Sequence, residues 1–172
     1  MFYGRSTALI SAGAVAVLIA GYSIMGGQQR PKHCVFCSGP LDRIVYEDAD
    51  FIAFHDIKPD AELHLLVVPR EHYGTIKEMT TAELPMITRM HELGQRLLEE
   101  RGYTGDMARF GFHRPPFNSI HHLHLHCLGL PFRSYRASIP FTEGVRAWFV
   151  PAARLIGDLT KALANHVPDN NN

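Results

Sequence analysis

The sequence predicts an α+β domain: a mostly antiparallel sheet with one long helix and a C-terminal helix, preceded by an N-terminal transmembrane helix. Three observations predict it. Five short apolar runs, at Ile44–Tyr46, Phe51–Phe54, Leu63–Val68, Met107–Gly111 and His121–Leu128, have the length of strands. Between the third and fourth lies one stretch with apolar residues at helical spacing. Before all of them, Ala8–Met25 is apolar and uncharged, close to the roughly 20 residues that a bilayer-spanning helix needs.

The amino-terminal segment is a separate object. No charged side chain occurs from Ser6 to Gln29, and no clean small-x-small cleavage site follows Met25. The segment therefore reads as an uncleaved anchor in preference to a cleaved signal peptide. Arg5 precedes it whereas Arg30 and Lys32 follow, which orients the carboxy-terminal domain to the cytoplasm. The expected localisation is a single-pass membrane protein. Residues 1–30 form the anchor and linker, 31–166 the globular domain, and 167–172 a disordered tail.

Within the globular part the first two apolar runs are interrupted by Glu47-Asp48-Ala49-Asp50, the pattern of a hairpin. Leu63–Val68 reads as a buried strand stopped at Pro69. Thr80 with Glu83 forms a capping box, and Leu84, Ile87, His91, Gly94 and Leu98 follow at helical spacing towards a stop near Gly102. Arg114-Pro115-Pro116 must break pairing between the next two strands. Ser134–Gly144 reads as an irregular excursion, and Pro151–Leu163 as a final helix. The two strand groups flanking one long helix favour an antiparallel arrangement.

Composition excludes several functions. Seventeen basic and seventeen acidic side chains in 172 residues cancel, so no basic excess exists to grip a run of phosphates. Three cysteines are too few for a disulfide scaffold. Apolar residues at 46% and charged ones at 20% mark a globular chain. What stands out is eleven histidines.

Three of them fall in one strand. In an extended His122–Leu128, His122, His124 and His126 share a face while Leu123, Leu125 and Cys127 share the other. Imidazoles spaced roughly 6.5–7 Å apart can surround one phosphate. The middle ring can attack phosphorus while its neighbours hold oxygens or pass protons. Alternating histidines can also chelate a metal. Cys127, on the apolar face, reads as a small core residue.

The stretch His122–Leu128 resembles the signature of the histidine triad superfamily of nucleotide hydrolases and transferases. Upstream, Cys34-Val-Phe-Cys37, Ala53–Pro59, His64–His72 and Arg109–Ser119 resemble its other motifs in order, as does Trp148-Phe149. The likeness is strongest to the third histidine triad nucleotide-binding subfamily, of the adenosine 5'-monophosphoramidase type. It spans about Cys34 to Leu163.

The resemblance implies a histidine-triad-like fold that commonly dimerises, and hydrolysis of nucleoside phosphoramidates at the α-phosphorus to AMP. It makes His124 the nucleophile of a nucleotidyl-imidazole intermediate. It gives His122, His126, Ser119 and His64 to the catalytic set, and Ser119, His124 and His126 to the phosphate. Asp56 takes the ribose hydroxyls, and Phe36, Phe54, Ile57 and Leu66 the base. Where better-known members have an asparagine eight residues before the serine, this chain has Gly111; His113 is a substitute or a surface residue. His121 receives no role.

Cys34-x-x-Cys37 has the spacing of half a tetrahedral zinc site. The resemblance completes it with His72 and His122, and a metal-free reduced pair or a redox motif are the other two readings. No cofactor is required for the expected chemistry. Expected partners are a purine nucleotide, the membrane and a second copy of the chain, with no nucleic acid. Competing functions are a dinucleoside polyphosphate or acyl-adenylate hydrolase, and a membrane-tethered nucleotide-binding adaptor with little turnover.

Overall fold

The computed structural model describes residues 34–39, 41–143 and 148–166. A short helix α1, Val35–Ser38, opens them, followed by the hairpin β1, Ile44–Glu47, and β2, Phe51–His55. Asp48 makes the turn because its Oδ1 accepts the backbone N–H groups of Asp50 and Phe51 at 2.8 and 2.6 Å. Strand β3, Ala61–Pro69, pairs antiparallel with β2. Thr80 and Glu83 form the expected capping box over a 3-10 turn, and helix α2 follows at Leu84–Glu99. It stops at Gly102, whose φ of 85° the absent Cβ permits, with Tyr103 N–H returning to the Leu98 carbonyl.

Strand β4, Ala108–His113, and β5, Leu125–Phe132, complete the centre of the sheet. Helix α3, Tyr135–Ser138, and a 3-10 turn at Ile139–Phe141 fill the excursion. Strand β6, Phe149–Pro151, leads into α4, Ala152–Ala164. The six strands run in the order β1-β2-β3-β5-β4-β6, every pair antiparallel. The α+β expectation holds.

Alternation sorts the side chains. Phe51, Ala53, Leu65, Val67, Leu125 and Cys127 pack with the α2 residues Ile87, Met90, Leu93 and Leu97 and with α4. Burying this face supplies most of the fold's driving force, at roughly 25 cal/mol per Å² of apolar surface. On the opposite face Ile52, Phe54, Leu66 and Val68 form a second cluster under Phe36 and Leu41. His64 and His126 lie on that second face.

Three expectations need correction. Strand β5 begins at Leu125, not at His121; residues 121–124 are irregular, with Leu123 N–H tied to the Tyr73 carbonyl at 2.8 Å. Strand β6 was not expected, because three residues carry no alternation signal. Finally, the transmembrane helix and the membrane localisation are withdrawn. Among the described residues no helix is long and apolar enough to cross a membrane. The longest, α2, has 16 residues, about 24 Å at 1.5 Å each, and bears exposed Arg89, Glu92 and Arg96. Ala8–Met25, the linker and the 167–172 tail lie outside the described residues.

Helix α2 crosses the sheet at Gly94, where an added Cβ would stand 2.6 Å from the Cys127 sulfur. Gly94→Ala is expected to destabilise the domain by about 1–2 kcal/mol, overpacking outweighing the gain in helix propensity. Adding Cys127→Ala should restore most of the loss in urea unfolding; an additive double variant would contradict this account.

Candidate active site

The site is built where β3 and β5 pair. Leu66 stands opposite His126 and His64 opposite Leu128, so the two histidines lie diagonally on the face away from α2. Their rings meet: His64 Nε2 is 2.9 Å from His126 Nδ1. The protons on this chain follow from its first link. The Asp60 backbone N–H donates to His64 Nδ1 at 3.2 Å, so His64 carries its proton on Nε2 and donates it to His126 Nδ1. His126 is then protonated on Nε2, which is buried and has no partner among the described residues.

His124 is set by a different bond. Its Nδ1 donates to the backbone carbonyl of His122 at 2.6 Å, leaving the Nε2 lone pair free. The rings of His124, immediately before β5, and His126, within it, lie 5.0 Å apart. Burial lowers the pKa of both rings: in His124 against a partial offset from its bond to the His122 carbonyl and from Asp56, and in His126 well below the ordinary value, with His124, His113 and His64 adding to the effect. His64 is pushed down to about 4, by burial first, against a partial offset from Asp56, whose Oδ2 lies 3.6 Å from its Nε2. Asp56, His64 and His126 could by position hold a metal ion. The hydrogen-bond chain argues otherwise, since a metal on His64 Nε2 would leave that ring without a proton on either nitrogen.

These groups open on a cleft of about 470 Å³. Phe36, Phe54, Ile57, Asp56 and Leu66 line it, together with Ser119, His64, His124 and His126. Every residue expected at the base, ribose and phosphate is thus brought together. Asp56 Oδ1 accepts the Lys58 N–H at 2.8 Å, which fixes the carboxylate at the rim. Phe36 stands edge-on to Phe54 and to His124, at 5.6 and 5.5 Å between ring centroids.

His122 goes elsewhere. It does not line the cleft; its Nε2 donates to the Pro69 carbonyl at 2.9 Å. Its Nδ1 lies 3.3 Å from Cys34 Sγ and 3.4 Å from Cys37 Sγ, and His72 Nδ1 lies 3.3 Å from Cys37 Sγ. The donor atoms of Cys34, Cys37, His72 and His122 all fall within 4.8 Å of one another. In a tetrahedral zinc site the sulfur–nitrogen edge is roughly 3.5 Å, from Zn–S and Zn–N bonds of about 2.3 and 2.0 Å. The four residues fit a zinc ion, and the Nε2–H bond to Pro69 is the outer bond that presents Nδ1 as a lone pair.

Among the residues that the structure adds to the cleft, Phe141 and His113 lie against its histidines. Phe141 comes from the excursion and contacts His64 and His126 at 5.7 and 5.6 Å; no sequence signal marks it. His113 lies 4.4 Å from His126, ring to ring, with its Nε2 buried and unpartnered. Burial first, and then His124, push it down to about 4, although its bond to the Pro140 backbone acts the other way. The glycine two positions earlier explains the missing asparagine. A Cβ on Gly111 would stand 2.4 Å from the Val150 carbonyl and 2.5 Å from the Phe149 ring, so β6 occupies the space a side chain needs. His113, on the same face of β4, reaches the cleft instead.

Comparisons with known proteins show the family. Residues 33–139 match the family described as scavenger mRNA decapping enzyme C-terminal binding. The chain belongs to the histidine triad superfamily. It is 36% identical over 138 residues to a bifunctional adenosine 5'-phosphosulfate phosphorylase/adenylylsulfatase of Arabidopsis thaliana, covering 76% of this chain and 94% of that one. It is 40% identical over 139 residues to an adenosine 5'-monophosphoramidase of Mus musculus, covering 76% and 83%. Among solved structures, a histidine triad protein from Clostridium difficile superimposes with a TM-score of 0.56 at 27% identity, covering 62% of this chain and 98% of that one. As a histidine triad protein most similar to this subfamily, the chain is a nucleotide hydrolase.

The buried neutral rings make stability depend on pH. An unfolded histidine titrates near 6.5 and His64 in the fold near 4, so the unfolded chain binds more protons between those values. Stability is therefore full at neutral pH and falls as pH drops from about 6.5 to about 4, with His64 contributing on the order of 3 kcal/mol. Urea unfolding at about pH 7 and about pH 4.5 should show the loss, and His64→Gln should make it smaller, the other buried histidines keeping the rest. An unchanged slope in that variant would contradict the assignment.

Proposed function

We propose that this chain hydrolyses nucleoside 5'-monophosphoramidates, adenosine 5'-monophosphoramidate among them, through a covalent nucleotidyl–His124 intermediate. The observation that carries the reading is the pair of complementary nitrogens in one cleft: a free lone pair on His124 Nε2 and an unpartnered buried N–H on His126. The first is a nucleophile and the second an oxyanion donor, both in place before substrate arrives.

The purine rests against Phe36, Phe54, Ile57 and Leu66, an apolar wall that reads little of the base edge. Asp56 accepts the ribose hydroxyls. His124 Nε2 attacks phosphorus, a P–N bond forms, and the original P–N bond to the leaving amine breaks. His126 Nε2–H holds a non-bridging oxygen as charge develops. Ser119 Oγ–H, in the same cleft, gives a proton to the departing nitrogen. Water then opens the nucleotidyl-imidazole: its oxygen bonds to phosphorus as the bond to His124 Nε2 breaks, and its proton returns to Ser119 Oγ, so AMP leaves and both side chains are restored. His64 keeps the His126 proton on the correct nitrogen, and the His113 Nε2 lone pair offers an acceptor beside the phosphate. His122 stands outside this sequence, joining Cys34, Cys37 and His72 around a structural zinc.

A second reading changes only the leaving group. The Arabidopsis relative is named for adenylylsulfate chemistry, in which sulfate leaves the same phosphorus, and an acyl-adenylate or dinucleoside polyphosphate fits the same attack. The homodimer implied by the resemblance is likewise a proposal; among the described residues the sheet's edges are β1 and β6. The adaptor reading has no observation in its favour.

A fluorogenic adenosine phosphoramidate should be turned over by the wild type, and His124→Ala should lose at least about a thousand-fold in kcat. Equal rates would refute the reading. Acid quench during turnover should trap an AMP-sized adduct on the peptide containing His124, and its absence under conditions that accumulate intermediate would count against the covalent step. The same preparation should contain about one zinc per chain.

A further inference from the structure

The Cys/His cluster and the nucleotide cleft share parts. Helix α1 has four residues, none buried, far below the roughly 12 that let a helix persist alone. It is tied at both ends by sulfur contacts: Cys34 to His122, and Cys37 to His72 and His122. Between those two cysteines stands Phe36, which lines the cleft and packs on Phe54, Leu66 and their neighbours. The ring of Phe36 also stands edge-on to His122 at 5.8 Å and to His124 at 5.5 Å. A second path runs through the backbone, since the carbonyl of His122 is the acceptor that sets the tautomer of His124.

We infer that zinc binding at Cys34, Cys37, His72 and His122 and nucleotide binding in the cleft are thermodynamically coupled, with Phe36 as the positioning residue that links them. The inference rests on the zinc and nucleotide readings given above. With the metal bound, the four ligands hold α1 against the sheet and keep Phe36 as one wall of the base pocket. Without it, the sulfurs of Cys34 and Cys37 lose their common anchor, and the wall must be ordered at the expense of nucleotide affinity. Coupling of this kind is reciprocal: whatever factor zinc adds to nucleotide affinity, the nucleotide adds to zinc affinity.

The test uses the full chain and reads metal, not turnover. Zinc is withdrawn by competition with a chromogenic chelator, with and without saturating millimolar AMP. AMP is expected to tighten zinc about tenfold in the wild type, and by less than about threefold in Phe36→Ala, which keeps all four ligands. Equal zinc affinity with and without AMP in the wild type overturns the inference. So does full tenfold tightening in Phe36→Ala, because a linkage that merely reflected global folding would survive there at saturating AMP. A chain that takes up no zinc defeats the inference together with the zinc reading, whereas the phosphoramidate assay, run separately, reports on the catalytic reading alone.

Discussion

The antiparallel pairing of β3 with β5 is the constraint on which the rest of this protein depends. Its register sets Leu65 against Cys127 on the helix-covered face and Leu66 against His126 on the other. One slip by a single residue would exchange the faces, burying imidazoles under α2 and turning the core leucines to the cleft. The hydrophobic face under α2 therefore does more than stabilise the domain. By fixing register, it decides which nitrogens meet.

Burial then decides their chemistry. His64 and His126 are almost wholly removed from water, so the charged form of either ring is disfavoured and neutral imidazoles persist at physiological pH. A neutral imidazole has one donor and one acceptor nitrogen, so a single backbone N–H at Asp60 propagates through two rings and fixes the proton at the cleft end. The same logic acts on His124 through one carbonyl. Leaving His126 Nε2 unsatisfied costs stability of a few kcal/mol at most, and a substrate oxygen removes that cost when it binds.

Two local features show how packing redistributes roles. Strand β6 lies so close over Gly111 that no side chain fits, and the polar contribution from β4 moves two residues on to His113. The irregular stretch at residues 121–124 breaks the regular alternation: His122 faces the cysteines while His124 stays with the cleft. A triad that is uniform in sequence is thus divided between two sites.

Much of this was legible beforehand. The hairpin, β3 and the capped helix α2 follow from alternation and capping, which are local properties. The gathering of Phe36, Phe54, Asp56, Ile57, Leu66, Ser119, His64, His124 and His126 around one cleft was legible only through the resemblance to the histidine triad superfamily. The zinc ligand set was available only as one of several readings, because spacing brings Cys34 near Cys37 but says nothing of His72. Phe141, the role of His113 and strand β6 were not legible, and the departure of His122 was open only as part of the zinc reading. Each depends on contacts between residues tens of positions apart, or on the exact start of a strand, and neither leaves a period in the chain. The amino-acid order by itself determined which chemical groups this protein possesses and which face of each strand carries them. Only the folded chain decided which nitrogen bears each proton and which histidine joins the cysteines, because hydrogen-bond partners and burial are set by long-range packing.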